Sequence, residues 1–276
     1  MTTTPKFKPK VISFVNLKGG VGKTTLAVSY ASYLGNVHKK RVLLVDLDPQ
    51  TNASFWVMGF KDWKRHEKNK GTVADLMGAT AHSRLGSNLR TVDNIVYKSP
   101  VFGFDLIPSN LSLYTMDLDL ASVPMKEVKL KRAIEACKNP YDYIICDCPP
   151  NLTIPTQNAL ALSTHYVVPI ALDYFSSIGI SLLKSRIAKL GNDLDNHPKL
   201  AGIVITRAGS RPGWHKAETE GGLRKTFGAE LLNSKIKDRQ DVVVSTQDKT
   251  PVFNSGNQSV IQEFTGVCQE LYGRIQ

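Results

Sequence analysis

The 276-residue sequence predicts a single α/β domain, doubly wound, with a mostly parallel central sheet flanked by helices. Three observations lead there. Short apolar runs of strand length alternate with longer stretches of helical periodicity, the pattern of a parallel sheet covered on both faces. A glycine-rich loop joins the first such strand to the first helix. Acidic residues stand where two further strands end.

The elements follow in order. Val11 to Val15 reads as a short buried strand, and Thr25 to Leu34 as a helix stopped by Gly35. Arg41 to Val45 is a second strand, apolar on both faces as parallel sheets require. Tyr143 to Cys146 is a third, ending at Asp147 before the Pro149-Pro150 breaker. His165 to Ile170 and Leu200 to Ile205 bring the set to five. Helical stretches between strands are expected over Lys126–Cys137, Asn158–Leu162, Ser176–Leu190 and Lys216–Phe227. A last amphipathic run, Val260 to Ile275, aligns Ile261, Phe264, Val267, Cys268, Leu271 and Ile275 on one helical face. Two segments break the alternation: the basic stretch 61–70, with five Lys or Arg around Trp63, and the Gly-rich, charged stretch 207–222. No internal repeat, low-complexity linker or composition shift divides the chain. One domain over residues 11–276 is expected, preceded by a flexible basic leader, residues 1–10.

Composition narrows the function classes. The chain is 42% hydrophobic and 21% charged, ordinary for a globular protein with a sizeable core. No apolar run approaches the roughly 20 residues that span a bilayer, and the N-terminus has no apolar signal-peptide region. The four cysteines (Cys137, Cys146, Cys148 and Cys268) contain no C-x-x-C pair. Cys146 and Cys148, flanking Asp147 in a strand, would share one sheet face as buried thiols, which fits a reducing cytoplasm. The net charge is +11. That is either a solvated surface or an attraction to a polyanion, and the position of the cations has to decide.

The loop Lys18-Gly19-Gly20-Val21-Gly22-Lys23-Thr24-Thr25 carries the chemistry. A strand that passes through glycines into a helix presents free backbone N–H groups and the positive helix end to phosphate. Glycine at 19, 20 and 22 permits the sharp turn and the close approach. Lys23 can reach β- and γ-phosphates, and the Thr24 hydroxyl suits Mg²⁺. The ordinary P-loop pattern would place glycine at 17, where this chain has Leu17; it carries instead a second lysine, Lys18. Asp46 and Asp48 close the second strand and Asp147 closes the third. Ligands of open parallel sheets bind at those ends, and carboxylates there can hold Mg²⁺ through its waters or orient an attacking water.

Three segments together resemble the ParA/MinD family of deviant Walker ATPases: the loop 18–25, Val42-Leu-Leu-Val-Asp-Leu-Asp-Pro-Gln50 with Thr51-Asn-Ala-Ser54, and Tyr141-Asp-Tyr-Ile-Ile-Cys-Asp-Cys-Pro-Pro150. Phe104-Asp-Leu-Ile-Pro-Ser-Asn110 resembles the strand before the family's middle helices. The Asp-Pro-Gln and Asp-Cys-Pro-Pro wording is closer to the ParA branch than to MinD, and the resemblance spans roughly residues 10–265. It implies an ATP-dependent sandwich dimer in which Lys18 crosses to the partner's phosphates and Lys23 serves its own subunit. Residues 18–25 would bind ATP. Thr24, Asp46 and Asp147 would support Mg²⁺, with Asp147 as the Walker B carboxylate, and Asp48 would position or activate water. The dimer would bind DNA without sequence preference, and a ParB-like or other cargo adaptor would stimulate hydrolysis. Localisation would be cytoplasmic, on the nucleoid when ATP is bound. Thr51 departs from the family, which often has glycine there. With about ten residues before the first strand, no N-terminal helix-turn-helix is expected.

The resemblance puts the DNA surface on C-terminal cations. The candidates are Lys184, Arg186, Lys189, Arg207, Arg211, Lys216, Arg224, Lys225, Lys235, Lys237 and Arg239. The stretch 61–70 could add to this surface or face a partner as a loop. Thr206-Arg207 and the loop Ile236–Arg239 are the adenine-site candidates by family position. A MinD-like membrane role would need an exposed basic amphipathic tail, whereas the run from Val260 carries Glu263, Glu270 and only Arg274, so core packing is expected. A metabolic P-loop ligase or kinase is the alternative from a different class.

Overall fold

The computed structural model describes residues 8–78, 90–173, 176–208, 214–238 and 240–276, with only the backbone at 214–216. Seven strands form one sheet in the order β3-β4-β2-β5-β1-β6-β7. They are β1 (Lys10–Phe14), β2 (Val42–Asp46), β3 (Tyr97–Ser99), β4 (Phe104–Ile107), β5 (Tyr143–Asp147), β6 (His165–Ile170) and β7 (Lys199–Ile205). All neighbours are parallel except β3, which pairs antiparallel with β4 at the edge. The five expected strands and the one suggested at Phe104 are present. β3 escaped prediction because three residues, of which only Ser99 is buried, carry no periodicity.

The longer helices are α1 (Lys23–Asn36), α2 (Asn52–Met58), α3 (Phe60–Asn69), α4 (Lys129–Glu135), α5 (Ile154–Leu162), α6 (Ser176–Leu194), α7 (Trp214–Phe227), α8 (Gln240–Gln247) and α9 (Gln258–Ile275). Two apolar clusters cover the two faces of the sheet. One gathers Val11, Leu43, Ile144 and Cys146 with residues of α4, α5 and α6; the other gathers Ile12, Leu44 and Ile145 with α1, α2 and α9. Alternate residues of each strand go to opposite faces, as the period of two demands. Cys146 and Cys148 fall in the same cluster, fully buried, and all four cysteines are free.

Several expectations need correction. Gly35 does not stop α1, which runs on to Asn36. A Cβ at Gly35 would overlap the carbonyl of Gly103, so the glycine serves a close approach of helix to loop. Residues 61–70 are not a loop: Phe60–Asn69 is helical and buries Trp63. The expected run 158–162 begins at Ile154, with Pro155 in the first turn where its missing N–H costs nothing. α6 runs four residues past Leu190. In α9, Val260 is fully buried and Ile261 only half-buried; the helix otherwise sends the expected face, Phe264 to Ile275, into the core. Among the described residues no helix is long and apolar enough to cross a membrane. Residues 1–7 of the expected leader lie outside the described residues, and Lys10 already belongs to β1.

Candidate nucleotide site

Register places the site. Asp147 of β5 is the Cα partner of both Phe14 of β1 and Asp46 of β2. The glycine loop, which leaves β1, and both strand-end carboxylates therefore stand at one level on the carboxyl end of three neighbouring strands. Ligands of open α/β sheets bind at that end.

The loop turns through two left-handed glycines, Gly20 (φ 73°) and Gly22 (φ 79°), and Gly22 caps α1. Thr206, just past β7, fastens it: its Oγ1 donates to the Val21 carbonyl at 2.5 Å. Arg207, itself left-handed at φ 54°, donates from a guanidinium nitrogen to the Gly20 carbonyl at 2.9 Å and pairs with Asp238. The resulting cleft of about 550 Å³ is lined by Gly19, Gly20, Gly22, Lys23, Thr24, Thr25, Asp48, Thr206 and Arg207. Its far walls are Asn52, Phe55 and Trp56 of α2, Ile236–Asp238, and Val242, Val243 and Thr246 of α8. Polar loop on one side and apolar helix faces on the other suit a phosphate chain attached to a flat base.

Lys23 is buried and donates to the Lys18 carbonyl at 3.0 Å. Burial lowers its pKa, and Asp147 and then Asp48 work against that. Asp46 is saturated: one oxygen accepts from the Ser54 N–H (2.9 Å) and hydroxyl (2.6 Å), the other from the Asp48 N–H (3.2 Å). Burial nonetheless raises its pKa to about 7. Asp48 accepts from the Gln50 N–H at 2.9 Å and opens onto the cleft. Thr51, which departs from the family's glycine, adopts φ 61° as the N-cap of α2. The backbone needs a left-handed residue there, which explains the family's glycine and marks a strained threonine.

Asp147 differs from Asp46. It is fully buried, and neither of its oxygens has a hydrogen-bond partner among the described residues. Burial pushes its carboxyl well above the ordinary range, and Asp46 adds to this; the nearby Thr24 hydroxyl and the Lys23 ammonium offset only part. An orphaned carboxylate behind a threonine hydroxyl is a donor set that fits a hard cation such as Mg²⁺. Among the described residues no cluster of three acidic, His or Cys side chains forms a cage. A cation held here would draw its other oxygens from phosphate and water, as Mg²⁺ ordinarily does, and would neutralise phosphate charge. Asp46, committed to Ser54, would stand behind such a cation.

Lys18 stands apart. Its side chain is 60% exposed, does not line the cleft, and pairs with Asp173 beyond β6 at 2.9 Å. Of the C-terminal cations, Lys184 pairs with Glu230, Arg224 and Lys235 with Glu220, and Lys237 with Glu263. Arg186, Lys189 and Lys225 are exposed. Arg211, Arg239 and the side chain of Lys216 lie outside the described residues. The structure adds Ser54, Asp173 and the α8 wall to the site. Ser54 could be found only through its motif. Asp173 opens a segment, 173–179, that resembles the family's stretch after the preceding strand, but nothing in the sequence signals its pairing with Lys18, and the valine run 242–244 has no helical period.

A family model described as an AAA domain matches residues 9–200. The chain is 35% identical to the chromosome-partitioning ATPase Soj of Treponema pallidum over 202 residues, covering 73% of each chain. Among solved structures it is similar to a plasmid partition protein of Borrelia burgdorferi bound to AMPPNP (TM-score 0.76, 22% identity, 97% of this chain and 100% of that one). It is also similar to the cobyrinic acid a,c-diamide synthase of Mycobacterium smegmatis with an ATP analogue and magnesium (TM-score 0.71, 25% identity, 87% and 93%).

Proposed function

The chain belongs to the ParA/Soj family of deviant Walker P-loop ATPases, and from that premise we propose that ATP joins two copies of it into a DNA-binding dimer that positions cargo. The cargo is a plasmid, a chromosome origin or a protein assembly. In this reading Lys23 and the loop hold the phosphates of their own subunit. Thr24 and Asp147 hold Mg²⁺, with Asp46 behind them, and Asp48 positions the attacking water. Lys18 reaches the phosphates of the other subunit, and Arg207 with residues 236–238 flanks the base. The dimer holds DNA without sequence preference, and an adaptor protein stimulates hydrolysis and release.

One observation carries the reading: Lys18 is built into the phosphate loop, yet its side chain is largely exposed and its ammonium lies outside its own cleft, on Asp173. A lysine in that place is of use to a neighbouring site. Dimerisation doubles the phosphates a surface can contact, so affinity for a polyanion multiplies when ATP joins two subunits. The fold is shared with a metabolic synthase, so the decisive experiment tests DNA directly. Mobility of a random-sequence duplex is measured with the protein and ADP, ATP or a slowly hydrolysed analogue. Retention with ATP and the analogue, lost with ADP and falling steeply with salt, is expected. Equal retention in all three, or none, would overturn the proposal.

A further inference from the structure

The basic stretch 61–70 has a definite shape. In α3, Trp63 turns inward and donates its indole N–H to the Ser109 carbonyl at 2.9 Å. His66 meets the Ile95 carbonyl at 2.6 Å, and Glu67 accepts from Asn110 at 3.0 Å. Lys61, Lys64, Arg65 and Lys68 are all exposed. Their spacing of i, i+3, i+4 and i+7 puts them on one helical face. The acids of α3 are Asp62, whose pairing with exposed Arg65 contributes little, and Glu67, which is engaged by Asn110. Lys70 follows the helix, exposed, and the side chain of Lys249 lies over Gly59 at the helix's N-terminal end. A cation at the positive end of a helix is electrostatically unfavourable, and an anion bound there would relieve it.

We propose that the outer face of α3 is a docking surface for the phosphate backbone of duplex DNA; this rests on the DNA-binding reading above and locates it. Lys61 and Lys68 are separated by about 10 Å along the helix, a length of duplex carrying about six phosphates. Of the eight C-terminal cations expected from resemblance whose side chains are described, five (Lys184, Arg207, Arg224, Lys235 and Lys237) stand beside a carboxylate, which lowers the net positive potential of that face. An interfacial membrane helix needs a continuous exposed apolar face; α3 buries Trp63 and exposes Phe60 alone, at its first position. α3 also stands on the nucleotide cleft. Phe55 of α2 lines that cleft and packs its ring against Trp63 at 5.0 Å and Phe60 at 5.9 Å, so the two sites share one packed wall.

The test compares wild type, a Lys61→Gln/Lys64→Gln/Lys68→Gln variant, its Lys→Arg counterpart and an Arg186→Gln/Lys189→Gln/Lys225→Gln variant. Binding of a random-sequence duplex with ATP is titrated across salt, with melting temperature as the folding control. Each lost phosphate contact lowers the slope of log affinity against log salt by about 0.9, so the α3 variant should lose about 3 per subunit and at least tenfold in affinity. The arginine variant should retain both. Wild-type affinity and slope in the α3 variant, or loss only in the 186/189/225 variant, would overturn this surface. A wild type that ignores DNA with ATP would instead overturn the DNA-binding reading itself. Binding of the wild type, lost in the α3 variant, to vesicles of anionic phospholipid with no loss on DNA would also overturn it.

Discussion

Replacing Lys18 by Gln separates a lysine that serves its own subunit from one that serves a neighbour. Among the described residues of the monomer Lys18 makes one ion pair, to Asp173, with the two side chains 60% and 29% exposed. Exposed pairs contribute below about 1 kcal/mol, which for a chain of this size moves the melting temperature by about 2 °C. The side chain does not line the cleft, so monomer affinity for ATP should change by less than about threefold, the scale of an ordinary surface substitution. The dimer is another matter. Each subunit would lose one charge-assisted hydrogen bond to a partner phosphate, about 1.5–3 kcal/mol. Two such losses per dimer total about 3–6 kcal/mol, a dimer dissociation constant raised about 10²- to 10⁴-fold. Sedimentation with a slowly hydrolysed ATP analogue measures the dimer, and titration with a fluorescent ATP measures the site. Parallel loss of both would refute the reasoning, because Lys18 would then be acting in its own cleft.

Asp48→Ala should lower turnover by about 10²-fold or more while ATP-dependent dimers persist, since a water-positioning group is lost and the phosphate contacts are kept; phosphate release and sedimentation check it, and unchanged turnover would refute it. Asp147→Asn should raise the melting temperature of the nucleotide-free protein and abolish the extra stabilisation by Mg²⁺ with ATP. The folded-state pKa of Asp147 lies above its ordinary 3.8, so its contribution to stability is lost as pH rises through the folded value. The gain from Asn should therefore be larger at pH 7 than at pH 5, and a gain independent of pH would refute the cause. Gly35→Ala sets about 1 kcal/mol of helix propensity against an overpacking cost of about 1–3 kcal/mol at the Gly103 carbonyl, so a net loss of about 1 kcal/mol is expected in urea unfolding; a higher midpoint would refute the close contact.

Strand identity was legible because buried parallel strands are continuous apolar runs, as Val42–Val45 and Tyr143–Cys146 are. The phosphate loop was legible because its glycines, Lys23 and Thr24 are contiguous. What failed was local. Gly35 reads as a stop and is a contact, because nothing near it in sequence announces Gly103. The stretch 61–70 reads as a polar interruption, because one Trp among ten residues is a thin apolar stripe. The edge strand β3 and the α8 wall have no periodicity of their own and form because neighbours pair with or cover them.

The sequence by itself determined the order of strands and helices, the loop that receives phosphate and the presence of a lysine that an ordinary P-loop lacks. These follow from local periodicity and contiguous motifs. Tertiary structure alone decided that Asp46 is satisfied by Ser54 while Asp147 is left without a partner, because only strand register and the seat of α2 set what each buried carboxylate meets. It also decided that Lys18 turns out of its own cleft and that the cations of α3 share a face, while five of the eight described C-terminal candidates lie beside acids. Charge is a property of composition, but its availability to a partner depends on which carboxylates the fold brings beside it.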